Sequence, residues 1–105
     1  MAASKRWDNH DTQALFRAVL LLRTPAEVRR FLRDLMTETE LIEFGHRWKA
    51  ARMLAEGVQY TEIEKATGMS STTIARIQKW VRGKEGGYRM IIERIKGKGR
   101  IANGK

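Results

Sequence analysis

YTEIEKATGMSSTTIARIQKWV, residues 60–81, is the stretch around which the rest of the chain is organised. Tyr60 to Thr67 has the composition of a short helix, with Ile63 and Ala66 expected on its inward side. Gly68 follows, where a left-handed residue ends a helix and costs a glycine little. Met69 is expected to plug the corner. Ser70 then offers its hydroxyl to the free N–H groups that open the next helix. In that helix Ile74, Ile77 and Val81 fall on one face, and Ser71, Thr72, Ala75, Gln78, Lys79 and Arg82 on the other. The whole forms a helix-turn-helix pattern. Gly68, Ile74 and Ile77 stand where the pattern has its glycine and two branched apolar residues, while Glu64 stands where it has a small residue. The second helix suits the major groove of a duplex, with short polar residues toward base edges and a basic end toward phosphates. The competing reading is a plain αα-hairpin with a capped second helix and no ligand.

Charge separates these readings. The chain of 105 residues carries a net +9. From Arg76 to Lys105 there are ten basic residues against Glu85 and Glu93, a net of +8, whereas the first 75 residues hold 11 basic and 10 acidic groups. The positive field therefore begins on the second helix, and a polyanion is its natural partner. A solvated basic tail accounts for Lys96 onward but not for Arg76, Lys79 and Arg82 beside the exposed face of that helix.

The remaining segments are helical in pattern. Residues 1–10 are expected to form a loose arm. Asp11 to Leu22 repeats Leu15, Val19 and Leu22 at helical spacing, widened by Phe16 and Leu20. That stripe is too apolar for a lone surface helix, so a large core or a second subunit must cover it. Thr24 caps the next helix, with Pro25 at its first position and Glu27 placed to complete a capping box. Its buried face is expected to be Val28, Phe31, Leu32, Leu35 and Met36, with Arg29, Arg30 and Arg33 solvated. Thr37 with Glu40 repeats the box and opens a longer helix from Glu38 to Glu56. Leu41, Phe44, Trp48, Ala51 and Ala55 make its stripe, with Ile42 and Leu54 beside it and Gly57 as its cap. Arg47 lies amid this apolar surface, where a snorkelling side chain is expected. A last amphipathic helix is expected from Tyr88 to Lys96, followed by a disordered basic tail over 97–105.

These signals predict an all-α class and one helical domain over residues 11–96. The chain has no Cys, which excludes disulfides and fits a reducing, cytoplasmic setting. Its two histidines are 36 positions apart, so no metal site and no cofactor are expected. The Leu20 to Leu22 run is far too short to span a membrane. There is no Gly-rich phosphate loop, no paired carboxylates in an apolar setting and no nucleophile–histidine pattern, so an enzyme is not expected. The best-supported function is sequence-specific binding of double-stranded DNA. Ser71, Thr72 and Ala75 would meet base edges, while Gln59, Thr61, Lys65, Arg76, Lys79 and Arg82 would hold phosphates. A basic module binding RNA or a protein is the alternative, although exposed stacking aromatics are scarce.

From about Leu15 to Ile95 the chain resembles the Trp-repressor superfamily, and most closely its YerC/YecD branch. The resemblance rests on residues 31–41 (FLRDLMTETEL), 47–54, 60–68 (YTEIEKATG) and 71–77 (STTIARI), with the later Gly86-Gly87-Tyr88. It implies an interlocked all-helical homodimer, each subunit offering one helix-turn-helix, and a cytoplasmic DNA-binding regulator of transcription.

The resemblance also implies an effector pocket. In the Trp repressor the ligand's indole lies between two arginines beside the recognition helix, and threonines help hold the amino acid. The corresponding positions are Arg47, Arg76, Thr37 and Thr73. Where the tryptophan binder has a glycine this chain has Ile77, and Trp80 replaces a small polar residue. Both add bulk where the ligand would lie, so tryptophan is not expected to bind. Two arginines would still suit a smaller anion.

Overall fold

The computed structural model describes residues 5–103, with side chains through Gly97. All regular structure among the described residues is helical: α1 His10–Val19, α2 Pro25–Leu35, α3 Glu38–Ala55, α4 Tyr60–Thr67, α5 Ser71–Val81 and α6 Gly87–Asn103. Where the sequence suggests one domain, the chain divides into two compact units, one ending at Glu38 and the other beginning at Thr39.

The first unit is set by its caps. Asn9 accepts from the Thr12 amide at 3.0 Å, and Thr12 Oγ1 accepts from the Asn9 amide at 2.9 Å, closing a capping box. Trp7 packs edge-on against Phe16 with ring centroids 6.5 Å apart. The described part of the arm is thus a turn folded onto α1, because Asn9 is a strong cap and Trp7 has an apolar partner. α1 ends three residues before the expected Leu22, at Val19, and the amides of Leu21 and Leu22 make tighter bonds to Ala18 and Val19. Thr24 caps α2 as expected, accepting from the Glu27 amide at 3.1 Å. The box is not reciprocal: the Glu27 carboxylate takes the Arg23 amide at 2.8 Å instead of that of Thr24.

No residue of α1 or α2 is buried. The expected inward face of α2 is only half-covered at Phe31, Leu32 and Met36, and Val28 and Leu35 are exposed. Leu20 and Leu21, at 83% and 76% exposure, are the most open large apolar residues described. These residues have the helical period of a core face but are exposed or only half-covered.

The second unit holds the core. Ala50, Ala51 and Leu54 of α3 meet Ile63 of α4 and Ile74, Ile77 and Val81 of α5, with Trp48, Met53, Val58, Met69 and Tyr88 packed around them. Only the C-terminal half of α3 is buried. Phe44 and Ile42, from its predicted stripe, are exposed, and so is Ala55. Alanine at two successive positions leaves room for the isoleucines, which are fully buried. Gly57, at φ 82°, closes α3, with Gly57 N–H donating to Leu54 and Val58 N–H to Met53 at 3.0 Å each. That is a Schellman ending, which requires the left-handed residue. At the other end, α6 does not stop at Lys96 but continues to Asn103. No proline interrupts it.

Candidate nucleic-acid interface

α4 and α5 are joined as the sequence expects. Gly68 takes φ 74°, ψ 6°, and its amide bonds to the Glu64 carbonyl at 2.8 Å. Ser70 Oγ accepts from the Thr73 amide at 3.2 Å and lies 3.1 Å from Thr73 Oγ1. Ile63 is buried, but its expected companion Ala66 is exposed, and Thr67 takes the inward place. The Thr67 hydroxyl donates to the Ile63 carbonyl at 2.7 Å and accepts from the Met69 amide at 3.2 Å. A buried hydroxyl is tolerable only when bonded, and these two bonds tie the last turn of α4 to the corner. Lys49 of α3 adds a longer link, its Nζ 3.5 Å from the Ala66 carbonyl. Neither Thr67 nor Lys49 was evident from pattern alone. A Thr directly before the turn glycine is the one sequence sign that could point to the former.

With its apolar stripe buried, α5 presents Ser71, Thr72, Ala75, Arg76 and Lys79 as exposed residues, with Arg82 exposed at its C-cap and Gln78 half-buried. Ser71 and Thr72 occupy the first turn, where side chains are short and the amides of the helix start are near. The basic residues follow along the helix. Gln59, at the N-cap of α4, and Thr61, in its first turn, are exposed, and Gln59 makes no side-chain cap bond. Lys65 is exposed and lies 3.9 Å from Glu62, a loose pair that contributes little in water. All nine predicted nucleic-acid contacts are therefore exposed, on or next to two helices that share one core.

Of the four effector positions, Arg47, Thr73 and Arg76 lie in the second unit. Arg47 is half-buried on α3, and its guanidinium donates to Glu43 at 2.8 Å. Its Cζ lies 5.2 Å from the Phe44 ring centroid and 5.8 Å from that of Trp80. Arg47 therefore has partners where the sequence suggested a simple snorkel. Thr73 stays at the start of α5 against Ser70, Arg76 is exposed, and Thr37 belongs to the first unit. A cleft of about 770 Å³ opens beside Arg47, Trp48, Trp80, Lys84, Tyr88 and Ile91, among others. Trp48 and Tyr88 stack there with centroids 6.2 Å apart. The two bulky residues take different places: Ile77 lies in the core and Trp80 at the cleft.

A family model for the Trp repressor protein matches residues 10–96. The chain belongs to the Trp repressor family. It is 38% identical over 82 residues to the uncharacterized protein YerC of Bacillus subtilis (strain 168), covering 78% of this chain and 79% of that protein. Among solved structures, a TrpR-like protein from Eubacterium eligens ATCC 27750 matches with TM-score 0.78 and 31% identity, over 86% of this chain and 93% of that one. A proposed Trp repressor from Staphylococcus aureus matches with TM-score 0.79 and 29% identity, over 89% of this chain and 96% of that one. The all-helical Trp-repressor-like fold expected from sequence is thus the fold of this chain. Membership in a family of repressors points to a DNA-binding regulator rather than an enzyme. Among the described residues, no helix is long and apolar enough to cross a membrane, and no His, Cys, Asp and Glu cluster has the makings of a metal site.

Proposed function

We propose that this Trp repressor family member is a cytoplasmic, homodimeric, sequence-specific reader of double-stranded DNA that regulates transcription. One observation carries the proposal: α5 buries Ile74, Ile77 and Val81 while exposing Ser71, Thr72 and Ala75, with Lys79 and Arg82 farther along. A helix held this firmly can place short side chains against base edges, and its basic residues can take phosphates on either side. The dimer is supported by the uncovered apolar faces of α1 and α2 and by Met90, Ile91 and Ile95 of α6, all exposed in the single chain. Two recognition helices related by a twofold axis read half-sites about 34 Å apart. Selection of bound duplexes from a random pool tests the proposal, with structured RNA as competitor. An enriched sequence with twofold symmetry is expected. Enrichment of no sequence, or preference for the RNA, refutes it.

We further propose that the regulator works without tryptophan. Trp80 already places an indole beside Arg47, and an added amino acid would have to displace it from that guanidinium. Calorimetric titration with L-tryptophan is expected to give no heat of binding at physiological amino-acid concentrations. Binding that also tightens the complex with the selected duplex would refute this.

A further inference from the structure

Ile74, Ile77 and Val81 follow one stripe along α5, and their burial fixes how deep the helix lies. At about 100° per residue, Trp80 lies roughly a quarter-turn from that line, on the flank away from Ser71, Ala75 and Lys79. There its ring meets Arg47 of α3, with Cζ 5.8 Å from the centroid. Arg47 is itself held: Glu43 takes its Nη2 at 2.8 Å, and the Phe44 ring lies 5.2 Å from Cζ. A guanidinium anchored along its edge by a carboxylate keeps its flat faces for aromatic rings. Neither partner is required to fill the core, since Trp80 is 50% exposed and Arg47 half-buried.

We infer that Arg47 and Trp80 form a latch between α3 and α5 that sets the roll of the recognition helix, making both positioning residues for DNA reading. This inference rests on the DNA-reading function proposed above. A small roll of α5 swings Ser71 and Thr72 sideways, and hydrogen bonds to base edges tolerate little displacement. The latch therefore acts on affinity for the preferred duplex more than on folding.

A double-mutant cycle on duplex affinity tests it, using Arg47→Lys and Trp80→Ala. Lysine keeps the charge but lacks the flat, forked guanidinium. Each single substitution should weaken binding to the selected duplex by about 2- to 30-fold. The double variant should be no weaker than the worse single one, and Trp80→Phe should retain most of the affinity. Affinity for an unrelated duplex should change little in all four proteins, each confirmed as folded by its circular dichroism. Effects that add, an unchanged Trp80→Ala, or equal losses on both duplexes overturn the latch. Where Trp80→Ala does not fold, Arg47→Lys and Trp80→Phe carry the test, and an Arg47→Lys that binds the selected duplex as tightly as the unsubstituted protein overturns the latch. If the unsubstituted protein prefers no duplex, the DNA-reading proposal fails and takes the latch with it. If the preference survives undiminished in every variant, only the latch fails.

Discussion

α1–α2 and α4–α5 are both pairs of capped, amphipathic helices, yet they use their apolar residues in opposite ways. The α4–α5 pair fully buries Ile63, Ile74 and Ile77 against the alanines of α3. The α1–α2 pair buries nothing, although Leu15, Phe16, Val19, Phe31, Leu32 and Leu35 repeat with equal regularity. Helical periodicity says which residues face one way. It does not say whether the surface they face belongs to the same chain. Large apolar patches left open on a chain mark an interaction surface. In the proposed homodimer, the open faces of α1, α2 and α6 serve assembly and the α4–α5 pair serves recognition.

The largest effect is expected where this contrast can be broken outright. Sedimentation at low micromolar concentration should show twice the chain mass of 12.1 kDa. Val19→Asp places a charge on the open face of α1 and should lower that mass to the single chain, with loss of cooperative unfolding. A stable monomer of the unsubstituted protein would remove the reason given for the open face. Next in size is the opposite region. Ile77→Ala leaves a cavity among fully buried neighbours and should cost about 2–5 kcal/mol in denaturant unfolding. A loss below about 1 kcal/mol would mean that the α3–α5 core is not the firm support described.

Smaller effects sharpen the account within α5 itself. Thr72→Ala removes a hydroxyl from the exposed first turn and should weaken binding to the selected duplex by about 1–3 kcal/mol, relaxing preference at one base pair. Lys79→Ala should weaken all duplexes alike and lower the slope of log affinity against log salt by about one. Both proteins should melt as the unsubstituted one does, since both positions are exposed. An unchanged duplex affinity in both variants would show that another surface meets the DNA.

Much of the recognition region was legible because its determinants are local. Gly68 in a left-handed turn, Ser70 as cap, and isoleucines three residues apart all lie within 22 residues. What was missed depends on distance through the fold. Thr67 faces inward in place of Ala66 because its hydroxyl finds the Ile63 carbonyl, a choice that polarity alone argues against. Ala50 is buried although the stripe through Leu41, Phe44 and Trp48 passes beside it. Arg47 acquires Glu43, Phe44 and Trp80, and only the first two are near it in sequence. α1 ends at Val19 and α6 at Asn103, not at the expected Leu22 and Lys96, because weak termination signals leave helix boundaries to the surroundings. The exposed residues of α5 were readable as a set, but which base each would meet is decided by the duplex.

The central claim is that α5 reads base edges with its first turn and grips phosphates with its basic residues. The most direct measurement is the affinity of the unsubstituted protein for the selected duplex and for an unrelated duplex of equal length, each across a range of salt. The account predicts that binding to both falls steeply with salt through counterion release, while at about 0.15 M salt the selected duplex is still held at least about 1,000-fold more tightly. Equal affinity for the two duplexes at every salt concentration would contradict it.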